Sequence, residues 1–197
     1  SLFVPCLEGM LQCAAEEGET PPKQFLADRK EKEQSRHNYL LLREEIKKVQ
    51  IIPAVYTHIE NLFLASHGRL EELNSVENKR KARLEELARL IHYGLGPRAA
   101  IAQGLAAKAW ALFFLSDPQF ATAQCLGSVV IPTLRHRLKL DPDWANIYAP
   151  SEDDSPRDED QLRDQFLAEF AATCAPEDDD YARSFQHISP IAQFMKP

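Results

Sequence analysis

Six histidines and four cysteines are the side chains best suited to metal or nucleophilic chemistry: His37, His58, His67, His92, His136 and His187, with Cys6, Cys13, Cys125 and Cys174. No two cysteines form a CxxC, and no histidine pair has zinc-ligand spacing, so a zinc site is not indicated. Glu33 and His37 lie four apart and would share a helix face. A helical di-metal centre asks for Glu-x-x-His on two helices plus two further carboxylates, and the sequence holds no Glu-x-x-His. The histidines therefore read as surface contacts or core hydrogen bonds. The cysteines read as reduced, partly buried thiols; Cys6 and Cys13, seven apart on one helix face, have no histidine near them in sequence.

The motifs that cradle phosphate, activate a serine or bind zinc or calcium are missing: there is no GxxxxGK[ST], GxGxxG, GxSxG, HExxH or EF-hand loop. Gly94-Leu95-Gly96-Pro97 precedes a helical pattern, and amides at a helix start can meet an anion. Pro97 removes one of those donors, and a turn between helices is the simpler reading. No catalytic, cofactor-binding or metal-ligating residue is assigned, and no cofactor is implied. An enzyme ranks last among the function classes, as a reaction built from scattered residues.

Two basic clusters remain: Lys79, Arg80, Lys81 and Arg83, and Arg135, Arg137 and Lys139. Either would suit a phosphate backbone. The first has no Tyr or Phe beside it to stack bases, and Glu77, Glu85 and Glu86 flank it, so a solvated helix face is the preferred reading. The second carries +3 and sits beside Asp141 and Asp143. Residues 151–180 hold twelve acidic and two basic residues, −10, while 1–150 sum to +1 and 181–197 to +2. That imbalance leads us to expect the acidic segment to dock on the second basic cluster.

These side chains need a scaffold, and the scaffold reads as helices. The 197 residues, 22.4 kDa, are 44% hydrophobic and carry a formal −7, which supports one core plus an extension and excludes collagen-like, mucin-like or wholly disordered chains. Seven glycines and no Asn-Gly or Asp-Gly turn argue against hairpins. The expected class is all-α, a bundle of about five to seven amphipathic helices with one long, partly exposed helix and an acidic C-terminal extension. Domains are expected at 1–148 (helical), 149–157 (acidic linker) and 158–197 (amphipathic helix, acidic loop and apolar, irregular tail).

Along the chain, a short helix is expected at Pro5–Ala15, then a long one over Lys23–Gln50, charged all round at first and gaining Tyr39, Leu40, Leu42, Ile46 and Val49 later. Pro53 suits a first helical position, with Val55, Ile59, Leu62, Phe63, Leu70 and Leu73 following at helical spacing. Asn74 with Glu77 reads as a capping pair for a helix through Ile91. Pro97 opens the most apolar helix, ending near Ser116-Asp117-Pro118. Its run Ala99–Leu115 is interrupted by Gln103, Gly104 and Lys108 and falls short of a membrane span. Phe120–Leu140 reads as helix broken near Pro132, with Gly127–Ile131 as the one strand candidate. The apolar start Leu2–Leu7 has no basic flank and is a poor signal peptide.

The C-terminal helix carries a stripe of Leu162, Phe166, Leu167, Phe170 and Cys174, and the tail beyond it Phe185, Ile188 and Phe194. Such an apolar tail either folds back on the body or anchors in a partner. The leading functional expectation is a non-catalytic helical protein–protein interaction module, an adaptor, scaffold subunit or specific chaperone, working by helix–helix or coiled-coil packing. Its partner anchors would be Leu162, Phe166, Phe170, Phe185, Ile188 and Phe194. The partner is another protein or a second copy; the membrane is not expected, and the setting is intracellular, cytoplasmic or nuclear. The alternative is a nucleic-acid-associated protein using the two basic clusters, with the acidic tail as regulator, to which phosphate on Ser151 or Ser155 would add charge.

Overall fold

The computed structural model describes residues 23–150 and 158–186. The expected Pro5–Ala15 helix, residues 151–157 of the expected 149–157 linker with Ser151 and Ser155, and Cys6, Cys13, His187, Ile188 and Phe194 lie outside the described residues. Two compact units separate at residues 45 and 46. In the first, the described part is helical and belongs to α1 (Lys23–Lys48). Of the apolar residues expected to pack one face, Tyr39 and Leu40 are exposed, Leu42 and Ile46 are half-buried, and Val49, just past the helix end, is buried.

The second unit is helical with two short strand pairs, as expected of an all-α chain. Its elements are β1 (Gln50–Ile51), α2 (Pro53–Ser66), a 3-10 turn (Leu70–Glu72), α3 (Asn78–Ala88), β2 (Ile91–Tyr93) and α4 (Pro97–Phe114). Then follow β3 (Phe120–Ala121), α5 (Ala123–Leu134), β4 (Lys139–Leu140), α6 (Trp144–Tyr148), α7 (Glu159–Thr173) and α8 (Asp179–Gln186). β1 pairs parallel with β3, Gln50 opposite Phe120 and Ile51 opposite Ala121. β2 pairs antiparallel with β4, Ile91 opposite Leu140 and Tyr93 opposite Lys139, with a register irregularity between. These pairs are clips that tie the ends of helices together rather than a sheet layer.

Pro53 and Pro97 each take the first turn of a helix, where the missing N–H costs nothing. Asp158 caps α7, its carboxylate accepting from the amides of Asp160 and Gln161 at 3.1 Å each. The main core gathers Leu62 of α2, Leu84 and Leu87 of α3, Leu126 and Leu134 of α5 and Phe166 and Phe170 of α7. A smaller cluster joins Val49, Ala107, Ala111, Ala121 and Cys125. Ala99, Gln103, Ala107 and Ala111, four apart along α4, form its buried face.

Several local expectations are corrected. The stretch 127–131 is the middle of α5, not a strand: Val130 and Ile131 are buried in a helix whose packing outweighs their β preference. Pro132 stays within that helix on its exposed side, and the helix ends two residues later. Asn74 does not cap α3, which starts at Asn78 after Glu77. Instead its amide N–H donates to Asn61 Oδ1 (3.0 Å) and its side chain to Glu60 Oε2 (3.2 Å). Helix α2 stops at Ser66, leaving Leu70 and Leu73 in the turn that follows. Residues 91–93, expected to end α3, form β2. The acidic loop after α7 is short, because Asp178 accepts from the amides of Asp180 and Tyr181 (3.0 Å each) and starts α8.

Gly94 shows why the link from β2 to α4 is fixed. A Cβ there would lie 2.6 Å from the carbonyl oxygen of Ser66. Beside it, Leu95 N–H donates to Ser66 Oγ (2.9 Å), and the ring of His67 donates from Nε2 to Leu95 O (2.9 Å). The glycine lets this segment close down on the end of α2.

Candidate docking face and basic surfaces

The described histidines and cysteines do not converge. Among the described residues no group of three His, Cys, Asp or Glu side chains is placed to hold a metal. His58 takes the second of the two roles expected for the histidines, a core hydrogen-bonder. Its Nδ1 lies 2.9 Å from the Tyr181 hydroxyl and its Nε2 2.8 Å from Ala171 O. Burial holds its pKa down at about 4, and the Arg80 charge adds to that against the raising effect of the Ala171 carbonyl. Cys125 and Cys174 are buried free thiols, and burial pushes the Cys174 thiol up. A thiol so placed is a poor nucleophile.

Three of the seven residues in the two basic clusters, Arg80, Arg83 and Arg135, contact this chain's own C-terminal segment. Arg83 on α3 pairs through Nε with Glu169 of α7 (2.7 Å), and through Nη1 with Glu86 (2.6 Å). Those carboxylates hold its guanidinium pKa above the usual arginine value. Glu169 also accepts from the Tyr148 hydroxyl (2.7 Å). Arg80 donates to Ala175 O (3.1 Å). At the end of α5, Arg135 makes a two-pronged pair with Asp164 of α7, Nε to Oδ1 at 2.9 Å. Of the docking expected on the second cluster, the structure shows the Arg135–Asp164 pair, and on the first an acidic residue of α7, Glu169, meets Arg83. Lys79, Arg137 and Lys139 stay exposed, Lys81 is half-buried, and Lys139 Nζ sits 5.9 Å from the Tyr93 ring centre.

The expected partner anchors face inward. Phe166, Phe170 and Phe185 are each 1% exposed or less, and Leu162 packs half-buried against the same core. The rings of Phe166 and Phe170 stack 6.2 Å apart, and Trp144 and Tyr148 meet Phe166 edge-on. The stripe that looked like a partner-binding face is the face by which α7 completes its own core. Phe185 does the same for α8 by lying 4.7 Å from the His58 ring.

Uncovered apolar surface lies elsewhere: Phe113, Phe114 and Phe120 are exposed at and just beyond the end of α4, and a second group borders a groove. A groove of about 340 Å³ runs between α2 and α4. Tyr56 and Ile59 form one side, Ile101, Leu105 and Lys108 the other, and Ile51 and Gly104 the floor. Tyr56, Ile101 and Leu105 are 56%, 62% and 50% exposed, large values for side chains of this type grouped in one place. Gly104 keeps the floor open to Ile51, whose Cδ1 would lie 3.3 Å from a Cβ at that position. The sequence did not mark this face. Helix α4 marks its wet side with only two charges, Arg98 and Lys108, ten residues apart, and its polar Gln103 lies on the buried side, so the apolar run dominates its pattern.

The family described as AAA lid domain matches residues 85–164. The match runs from α3 through α4 and α5 into the start of α7, and so includes Ile101, Leu105 and Lys108. No curated protein and no solved structure matches the chain.

Proposed function

We propose that this chain is a non-catalytic helical protein–protein interaction module, of the adaptor, scaffold-subunit or specific-chaperone kind, and that its docking face is the α2–α4 groove. One observation carries the reading: Tyr56, Ile101 and Leu105 leave apolar surface uncovered around a groove that the exposed Phe113, Phe114 and Phe120 do not line. Such a patch marks an interaction site on a folded protein. The similarity to the AAA lid domain supports a helical module working beside other domains and offers an AAA protein as one setting. An intracellular setting accords with the free thiols of Cys125 and Cys174. Among the described residues no helix is long and apolar enough to cross a membrane.

The test is nuclease-treated affinity purification with cross-linking, the full chain beside its Leu105→Glu variant. The expected result is a stoichiometric protein partner, cross-linked near α4 and lost with the variant. Recovery of nucleic acid alone, released by salt, would move the function to Lys79, Arg137 and Lys139 and overturn the proposal.

A further inference from the structure

The charge around the groove specifies what lies in it. Helix α4 carries two ionisable residues, Arg98 and Lys108, and no acidic one. Positions 98, 101, 105 and 108 fall on one side of a helix, so the two cations bracket Ile101 and Leu105. Among the described residues neither has a carboxylate partner. Lys108 Nζ reaches only the Lys47 carbonyl, at 3.5 Å. By contrast Arg83, Arg89 and Arg135 all pair with carboxylates of this chain.

We propose that the α2–α4 groove binds an amphipathic helix of a partner protein whose apolar side is flanked by Asp or Glu. This rests on the interaction-module reading above and names the chemistry of its partner. Apolar side chains at every third or fourth position enter between Tyr56 and the Ile101–Leu105 ridge. The acidic flanks meet Arg98 and Lys108, which stand about 15 Å apart along the axis by the helical rise, the length of roughly three turns of partner. A second copy of this chain fits poorly: crossing α4 on α4 brings four cations together with no acid between them.

The experiment selects 16-residue helical peptides against the full chain. The library fixes leucine at every third or fourth position and randomises the flanks among Asp, Asn and Lys. Acidic flanks are the expected winners. A selected acidic peptide, followed by fluorescence anisotropy, should weaken at least tenfold with Leu105→Glu and about two- to fivefold with Lys108→Glu. It should also weaken with added salt. Both side chains are at least partly exposed, and thermal melts of the variants check that folding is intact. Selection of basic or charge-indifferent flanks, or binding unmoved by Leu105→Glu, overturns the inference. So does a concentration-dependent dimer in sedimentation that Leu105→Glu abolishes, which makes the occupant a second copy. If cross-linking still finds a partner lost with Leu105→Glu while acidic peptides fail, the module reading stands and the inference about charge falls.

Discussion

The ring of His58 holds the Tyr181 hydroxyl at 2.9 Å across 123 positions of sequence. The other ring nitrogen, Nε2, faces Ala171 O, which can only accept, so Nε2 carries the proton and Nδ1 accepts from Tyr181. One imidazole thus ties α2 to α7 and α8, with Phe185 packed on its face. Replacing Tyr181 by Phe keeps the ring and leaves Nδ1 a buried acceptor without a donor. The expected cost is about 1–3 kcal/mol, read as a lower urea midpoint with an unchanged slope. A change under about 0.5 kcal/mol would mean that the hydroxyl contributes nothing to the fold.

The same histidine makes stability depend on pH. Its pKa is about 4 in the folded chain, against 6.5 when free. The folded state therefore resists a proton that the unfolded state takes up as pH falls below 6.5. Stability from this group is fully present above pH 6.5 and declines down to about 4, where the folded form also protonates. The difference corresponds to about 3 kcal/mol at most. Denaturation midpoints compared between pH 7 and pH 4.5 should fall less for His58→Gln than for the native chain, although the variant starts from lower stability. Parallel slopes for both chains would assign the acid sensitivity to other groups.

Much of this organisation was legible in the residues and some was not, for identifiable reasons. Prolines at helix starts and the acid–base imbalance act locally or by sign, and the structure follows them: α2 and α4 start near where they should, and Asp164 finds Arg135. Val129, Val130 and Ile131 misled because β-branched residues in a buried helix look like a strand. Asn74 misled because its polar groups bond Glu60 and Asn61 from the preceding helix instead of capping the next one. The α2–α4 groove was hard to see because α4 marks its wet side with two charges alone, Arg98 and Lys108, while Gln103 is buried opposite, and the apolar C-terminal stripe drew attention in its place. The His58–Tyr181 pair depends on how α2 and α8 meet, which neither local spacing nor composition encodes.

The ion pairs that bring α7 onto the basic clusters should contribute modestly. Arg135 and Asp164 have side chains 43% and 30% exposed, so solvent screens them. A double-mutant cycle with Arg135→Ala and Asp164→Ala should return a coupling of about 0.2–1 kcal/mol at low salt, shrinking as salt rises. Glu169, more enclosed and shared between Arg83 and Tyr148, should couple more strongly to Arg83. The reverse ranking would mean that geometry, not burial, sets the strength of these contacts.

Leu105→Glu should separate binding from folding. The side chain is half exposed at the groove edge, so a carboxylate there stays hydrated and stability should change by less than about 0.5 kcal/mol. Phe170→Ala, fully buried in the main core, should cost about 3–5 kcal/mol. Loss of partner cross-links with the first variant at an unchanged thermal midpoint would place the interaction at the groove. Equal destabilisation by both would show that Leu105 belongs to the core after all.

Two glycines two positions apart should respond differently to one added methyl group. At Gly94 the new carbon meets Ser66 O at 2.6 Å and the His67 ring at 2.9 Å. The carbonyl is backbone at the end of α2 and cannot swing aside as a side-chain tip would. Relief requires Leu95 to back away, which stretches its amide bond to Ser66 Oγ and the His67 bond to its carbonyl. Gly94→Ala should therefore cost about 1–3 kcal/mol. At Gly96, the residue before α4, nothing lies within 4 Å of the added carbon and φ is −75°, so Gly96→Ala loses only N-cap preference, under about 1 kcal/mol. Thermal melts of the two variants decide it. Gly94→Ala melting at or above Gly96→Ala would show that the Gly94–Ser66 approach is not a fixed contact of the fold.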